Sequence, residues 1–148
     1  MNKKSSKRTL IGRIDIVDFP LLDLLGIDIK IDSGAYTSSF HCHNIKEENG
    51  VLKCQFLDPD HSKYHKKIFQ FKTYTLKSIK SSNGITEDRY LVSTEIFIFG
   101  ETYPIKLSLT ERGAMKYPVL LGRKFLSKRF LIDTSKKNLS FKGITRKI

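Results

Sequence analysis

Apolar and polar residues alternate along much of this chain, with the period of two that marks half-buried β-strands. The alternation is clearest at residues 14–16 and 27–31. It returns at residues 69–76, where Phe69 and Phe71 are predicted to face inward. Longer helical stripes are not evident beside these segments. The pattern therefore predicts a mainly β protein.

Turn signals separate the predicted strands. Asn49-Gly50 and Asn83-Gly84 favour tight hairpin turns, because both residues tolerate a positive φ. Gly100-Glu101 lies between two further strand-like segments, residues 94–99 and 103–109, and predicts another hairpin. These signals divide the chain into short strands joined by close connections.

A single folded unit accounts for nearly all of the sequence. We assign residues 1–12 to a basic N-terminal tail and residues 13–148 to one domain, since no repeat, linker or shift of composition marks a second. With 148 residues the chain can bury a core without disulfides or a metal. The best helix candidate is short: residues 123–128, directly after Gly122.

Positive charge is concentrated at the two ends. The formal net charge is +12. Residues 1–13 carry five Lys or Arg and no acid, and residues 123–148 carry nine against Asp133 alone, so the middle is close to neutral. Basic ends favour an acidic partner, such as a ribosomal surface, nucleic acid or a glutamate-rich substrate. High charge also serves solubility, so this alternative stays open.

The sequence predicts a cytoplasmic protein that does not enter a membrane. No apolar run approaches the roughly 20 residues that span a bilayer. Arg13, Asp15 and Asp18 interrupt the first apolar stretch, which argues against a signal peptide. The two cysteines, Cys42 and Cys54, are therefore expected to be reduced and packed as small apolar residues.

One carboxylate stands at the end of a predicted strand, where an aspartic protease would need it. Asp32 follows residues 27–31 and precedes Ser33 and Gly34. The strand fixes the backbone of Asp32, the glycine allows a turn tight enough for its amide to approach the carboxylate, and the serine hydroxyl can brace the loop. Asp-Ser-Gly also occurs in ordinary turns, so the tripeptide alone is weak.

Two further elements strengthen the hypothesis. Residues 118–122, Pro-Val-Leu-Leu-Gly, predict a buried apolar strand that ends in glycine, about 90 residues after Asp32. Between them, residues 81–85 predict the tip of a hairpin. The order of the three elements is harder to obtain by chance than any one of them.

In this order the segments resemble a bacterial and archaeal family of retropepsin-like aspartic endopeptidases, formerly labelled putative ATP-dependent zinc proteases. Ser33 and Tyr36 depart from the usual family pattern, which is Asp-Thr-Gly followed by Ala-Lys-Thr-Ser. The matching segments cover nearly the whole chain: Ile11-Gly12-Arg13, Phe19-Pro20, Lys30-Ile31-Asp32-Ser33-Gly34-Ala35, Thr37-Ser38, Ser81-Ser82-Asn83-Gly84, Arg89, Leu109-Thr110-Glu111-Arg112, Met115, residues 117–126 and Asp133.

The resemblance implies a retropepsin-like closed β-barrel with one short helix after the Leu-Leu-Gly strand. No Gly-rich phosphate-binding loop with Lys-Ser or Lys-Thr is present, so no bound ATP and no other cofactor is expected. The resemblance also implies a catalytic group at Asp32, supported by Ser33 and Gly34. A hairpin at residues 81–85 would cover the substrate. The residues expected to bind substrate are Ala35, Ser82, Asn83, Gly84, Arg89, Arg112 and Arg123. The three arginines have an alternative role as surface residues or partners of Asp133.

A homodimer follows from the chemistry. Hydrolysis needs one group to take a proton from water and another to give one to the carbonyl, and two neighbouring carboxylates share these roles. This chain has one Asp-Ser-Gly, and Asp133-Thr134-Ser135 lacks the glycine. A twofold axis would bring two copies of Asp32 together. We therefore expect an endopeptidase that acts on a peptide or protein. The basic ends of the chain favour an acidic substrate.

Two alternatives remain at this point. The first is a zinc site, for which six side chains are of a suitable type: His41, Cys42, His43, Cys54, His61 and His65. Against it, no His-Glu-x-x-His is present, and Pro59 and Asp60 suggest a loop. The stronger rival is a non-catalytic dimeric module whose basic ends bind RNA or an acidic protein. Binding by charge alone should weaken steeply with salt.

Overall fold

Strands dominate the computed structural model, which describes residues 7–80, 84–111 and 116–147, with the side chains of residues 144–147 left aside. Neither helix of this described part is long and apolar enough to cross a membrane. In chain order the elements are β1 (Thr9–Ile11), β2 (Ile14–Phe19), β3 (Leu24–Ile31), β4 (Ser38–Glu48), β5 (Val51–Phe56), β6 (Phe69–Phe71), β7 (Thr75–Lys80), β8 (Thr86–Ile98), β9 (Glu101–Thr110), β10 (Val119–Leu121), α1 (Arg123–Leu126), β11 (Phe130–Ile132) and α2 (Leu139–Lys147).

Six strands close into a barrel. The hydrogen-bonded order is β10, β3, β2, β8, β9 and β4, and β10 pairs with β4 as well as with β3, which completes the ring. Strands β5 and β6 extend the sheet from β4, while β7 pairs with β8 outside the ring. The predicted closed, mainly β barrel is confirmed, and α1 is the short helix expected after the Leu-Leu-Gly strand.

The core follows the alternation of β3, whose apolar residues Ile27, Ile29 and Ile31 point inward between exposed Asp28 and Lys30. In β2, the residues that face inward are not the ones expected from the alternation of apolar and polar residues. Its buried positions include Asp15 rather than the isoleucines on either side, which are half-buried. An acidic side chain inside a core requires a partner.

The partner of Asp15 is the start of α2. Its carboxylate accepts hydrogen bonds from the backbone amides of Ser140 at 2.9 Å, Phe141 at 3.1 Å and Ile16 at 2.8 Å. The first amides of a helix lack partners within the helix, so a carboxylate there satisfies them and interacts favourably with the helix dipole. Because burial outweighs these three bonds, the pKa of Asp15 is raised above its ordinary value. Helix α2 was not predicted from the sequence.

Hairpin turns occur where the turn signals placed them. Asn49 and Gly50 join β4 to β5 with φ values of 51° and 76°. Phe99 and Gly100 join β8 to β9, one residue earlier than predicted. Strands β7 and β8 form the third hairpin, and Gly84 lies in its connection. The Asn83 half of that turn signal lies outside the described residues.

The prediction of one strand over residues 69–76 is wrong. The chain bends at residues 72–73, so β6 pairs with β5 whereas β7 crosses to pair with β8. Phe69 and Phe71 do pack inward, with their rings 5.5 and 6.3 Å from that of Phe56. The alternation of apolar and polar residues does not show where the chain changes from one neighbouring strand to another.

The chain joins the fold before residue 13. Strand β1 pairs in parallel with β11, from Thr9 opposite Phe130 to Ile11 opposite Ile132, and Ile11 is fully buried. Thr9 to Ile11 therefore pack with the domain, although the sequence assigned them to a tail ending at residue 12. Residues 1–6 lie outside the described part.

We expect Asp15→Asn to lower the free energy of unfolding by about 1–3 kcal/mol, because the amide group leaves one of the three backbone donors without an acceptor. The deficit should depend on pH. A raised pKa in the folded state means that wild type loses stability as pH rises from about 3.8 through the folded-state pKa, whereas the variant has no such titration. Urea unfolding from pH 3.5 to 7 measures both proteins. A deficit that grows with pH would contradict the raised pKa.

Candidate active site

Asp32 lies in the turn directly after β3. Its Oδ1 accepts a hydrogen bond from the amide of Gly34 at 3.1 Å, and its carbonyl accepts one from the amide of Ala35 at 3.2 Å. The carboxyl residue is half-buried, while Ser33 and Gly34 are exposed. The turn therefore holds the carboxylate in a fixed direction and leaves it open to solvent on one side. The close approach of the Gly34 amide to the carboxylate was predicted for this segment.

Strand β10 fixes the turn from one side. It lies between β3 and β4, parallel to the first and antiparallel to the second, with Val119 opposite both Ile29 and Phe40. The carbonyl of Leu121 accepts a hydrogen bond from the amide of Asp32 at 2.9 Å. The strand predicted from Val-Leu-Leu-Gly thus ends directly beside the carboxylate.

The residues after β10 continue the contact. The amide of Arg123 donates to the carbonyl of Ala35 at 2.8 Å, and that of Lys124 donates to the carbonyl of Tyr36 at 2.9 Å. The amide of Gly122 donates to the buried Ser38 hydroxyl at 2.9 Å. Residues 121–124 and residues 32–38 are therefore joined backbone to backbone. A side chain at position 122 has no room in this contact.

Arg123 also supports the turn through its side chain. Its Nη1 donates to the carbonyl of Ser33 at 3.0 Å, and its guanidinium lies 5.8 Å from the centre of the Tyr36 ring. The residue was predicted to bind substrate. It is exposed and lines the cleft described next, so it both supports the turn and faces the space above it.

A cleft of about 520 Å³ opens over Asp32. Strand β7 contributes a run of its residues to one side, and Arg89 of β8 lies with them. Five of the predicted site residues share this lining: Asp32, Gly34, Ala35, Arg89 and Arg123. Ser33 and Gly84 are not among the lining residues. Ser82, Asn83 and Arg112 lie outside the described residues.

Cationic side chains surround the carboxylate. The described residues that line the cleft include Lys77, Lys80, Arg89 and Arg123, and Asp32 is the one acid among them. Part of this charge is balanced, because Arg89 is buried and pairs with Glu87 at 2.6 Å. Lys77 and Lys80 were missed by sequence reasoning, since β7 is exposed along nearly its whole length and its pattern does not reveal which face lines a cleft.

None of the described ion pairs joins Asp133 to an arginine. Its carboxylate accepts hydrogen bonds from the amide of Ser135 at 2.9 Å and from the Ser135 hydroxyl at 2.6 Å. These bonds hold the pKa of Asp133 below its ordinary value. The side chain thus serves a local turn near β11.

The histidines and cysteines do not gather as a ligand set. Within the described ranges, no three His, Cys, Asp or Glu side chains are placed to hold a metal ion. Cys42 and Cys54 are both buried, and the hydrogen bond with Cys54, together with burial, raises the pKa of Cys42. Burial lowers the pKa of His41, whose Nε2 lies 4.0 Å from the carboxylate of Asp58.

Comparison with known proteins identifies the family and the fold. The model of the RimB-like family, which is described as retropepsin-like aspartic endopeptidase RimB, matches residues 10–142. The chain therefore belongs to that family. A protein of Legionella pneumophila of unknown function, Lpg0085, has the same fold in its crystal structure. Its TM-score is 0.69 at 23% identity, over 90% of this chain and 99% of that one.

Curated relatives carry a different name. A probable alpha-L-glutamate ligase of Shewanella pealeana is 36% identical over 137 residues, which is 88% of this chain and 30% of the relative. One of Parasynechococcus marenigrum, with the same name, is 31% identical over 86% of this chain and 28% of its own length. The chain therefore spans less than a third of these relatives.

We expect Gly122→Ala to destabilise the protein by about 3 kcal/mol, because its new Cβ would lie 2.7 Å from the carbonyl oxygen of Tyr36 and 2.9 Å from that of Ala35. Gly143→Ala is the matched control. It lies in α2 with no atom within 4 Å of the added Cβ, and it should gain up to about 1 kcal/mol from helix propensity. Urea unfolding of the two variants checks the difference. Equal stability of both would contradict the close contact at Gly122.

Proposed function

We propose that this member of the retropepsin-like aspartic endopeptidase family hydrolyses peptide bonds, with Asp32 as one half of a carboxylate pair. The observation that carries the proposal is the position of Asp32 in the cleft lining. Its carboxylate is oriented by the Gly34 amide at 3.1 Å and its backbone is tied to Leu121 at 2.9 Å. A reacting group held in one geometry avoids much of the entropic cost of catalysis.

The second carboxylate is proposed to come from a second copy of the chain. The described lining of the cleft contains no acid besides Asp32, and Ser33 and Gly34 next to it are exposed. A twofold axis beside this exposed turn would place Asp32 of the partner against Asp32 of the first chain. The same axis would join two half-clefts into one substrate groove.

In such a pair, one ionised carboxylate takes a proton from the attacking water while the other, protonated, donates to the carbonyl oxygen of the substrate. The resulting tetrahedral intermediate then collapses: the carboxyl that took the proton from water gives it to the leaving amine, and the other carboxylate recovers a proton from a hydroxyl of the intermediate. Two adjacent carboxylates hold a single proton readily because both cannot ionise together, so acid and base coexist. The remaining cleft residues bind and orient the peptide.

An acidic substrate suits the charge of the cleft. Lys77, Lys80 and Arg123 face it without a carboxylate partner among the described ion pairs. The names of the relatives concern the ligation of glutamate. We therefore propose substrates rich in glutamate, whose peptide bonds are the kind that a glutamate ligase forms and a peptidase breaks.

A non-catalytic binding function is the second candidate. The C-terminal end of the described chain exposes Lys128, Lys136 and Lys137. Such a cationic surface could hold an acidic protein, a ribosomal surface or RNA in the cytoplasm without using Asp32. The two candidates place the important charges in different parts of the molecule.

We expect Asp32→Asn to reduce hydrolysis at least about a thousandfold, because an amide cannot act as the base. Asp28→Asn is the matched control, since it changes an exposed acid of β3, the strand that precedes Asp32. Both are tested with wild type on a peptide library enriched in glutamate, from pH 4 to 8, with mass spectrometry of the products. Activity retained by Asp32→Asn would refute its catalytic role.

Two double substitutions separate the candidate functions. Lys77→Glu with Lys80→Glu reverses charge in the cleft, and Lys136→Glu with Lys137→Glu reverses the same charge at the basic end. We expect the first pair to raise KM for a glutamate-rich peptide about tenfold and the second to leave it unchanged. If only the second pair weakens binding to acidic partners, and no peptide is cleaved, the binding module is the correct function.

A further inference from the structure

Two segments expose apolar side chains at the end of β3 that lies away from the cleft. Residues 20–26 join β2 to β3 and include the start of β3, and residues 61–68 precede β6. We call these two segments the distal surface. More than half of three of its apolar side chains is exposed: Leu21 at 61%, Leu25 at 58% and Ile68 at 58%.

The two segments of the distal surface lie side by side. The Nε2 of His65 is 3.3 Å from the carbonyl oxygen of Leu22, within hydrogen-bonding distance. The ammonium of Lys63 lies close to the backbone of Gly26, 3.5 Å from where a Cβ would stand. Exposed leucines scattered singly over a protein are ordinary, whereas a group of apolar side chains on adjoining segments marks an interaction surface.

Lysines accompany these apolar side chains. Lys63, Lys66 and Lys67 are exposed, and none of the ion pairs found among the described residues includes them. Asp23 is the one acid in the two segments, so their net charge is +2 with the histidines neutral. The distal surface thus fits a partner that offers negative charge at its boundary and an apolar environment beneath it.

An anionic lipid bilayer has both properties. Apolar side chains that protrude from a protein enter its interfacial layer without a matching cavity, whereas a folded protein partner would need a pocket for each of them. Lysines beside such a surface add electrostatic attraction, and their flexible stems let the ammonium groups reach phosphates in no fixed geometry. A lipid surface therefore accounts for the apolar and the charged residues together.

We propose that the distal surface binds the anionic face of a phospholipid bilayer, with the three exposed apolar side chains in the interfacial layer and the lysines at the phosphates. Strand β3 runs from the distal surface to the turn that carries Asp32, a length of roughly 25 Å. The cleft would then stay clear of the lipid and open to water. No residue of the distal surface lines the cleft, so the inference does not depend on the proposed function.

A single tryptophan reports which part of the protein touches lipid, because the chain contains no Trp. Leu21→Trp places it on the distal surface, and Leu131→Trp places it at an exposed apolar position of β11 as the matched control. The probes are vesicles of phosphatidylcholine with phosphatidylglycerol, two to one, and of phosphatidylcholine alone. With the anionic vesicles we expect the emission of Leu21→Trp to shift to the blue, and brominated acyl chains to quench it at least about twice as strongly as that of Leu131→Trp.

Two charge reversals test the lysines in the chain without tryptophan. Lys66→Glu with Lys67→Glu changes the distal surface, and Lys136→Glu with Lys137→Glu changes the net charge equally at the basic end. We expect the first pair to weaken sedimentation with anionic vesicles at least about tenfold and the second less than about threefold, because the attraction fades within a Debye length of the lipid. Binding of the natural chain to phosphatidylcholine alone should be weaker by about tenfold or more.

Three results would overturn the inference: no blue shift of Leu21→Trp with anionic vesicles, an equal shift of Leu131→Trp, or equal weakening by the two charge reversals. A blue shift of Leu21→Trp that grows with protein concentration in the absence of lipid would mean that a second copy of the chain covers the distal surface, and it would overturn the inference as well. These measurements use no peptide, so they stand apart from the test of hydrolysis.

Discussion

The backbone contact between residues 121–124 and residues 32–38 joins the end of β10 and the start of α1 to the turn that carries Asp32. It depends on Gly122, because any side chain there would collide with the carbonyl of Tyr36. Strand β10, which leads into this contact, closes the barrel because it lies between β3 and β4. The same contact fixes the amide of Asp32 and the loop that follows it. The strand that closes the barrel therefore also supports the turn that carries the carboxylate.

Local motifs explain why this part of the molecule could be predicted. The Asp-Ser-Gly turn and the Leu-Leu-Gly strand are each encoded in a few consecutive residues, and the resemblance to a known family supplied their mutual position. The buried Asp15 could not be predicted in this way. It interrupts the apolar face of β2, and the amide of Ser140 that satisfies it lies 125 residues away along the chain. Helix α2 depends on that distant contact.

The charge of the cleft is another feature that could not be predicted from local motifs. Lys77 and Lys80 line the cleft with Asp32 because β7 pairs with β8, and this pairing is not evident from the sequence. Basic residues at the ends of the chain were conspicuous in the sequence, whereas those around the carboxylate were not. The proposed hydrolysis needs a second carboxylate beside Asp32, which makes the origin of that carboxylate the central question.

Subunit mixing answers that question most directly. Wild type and Asp32→Asn protein are mixed in equal amounts, allowed to exchange subunits, and assayed at the same total concentration as wild type alone. Random pairing makes about a quarter of the dimers fully wild type, so a dyad shared between chains predicts about a quarter of the wild-type activity. A value of about one half would mean that each chain acts by itself, and it would contradict the proposed pair of Asp32 carboxylates.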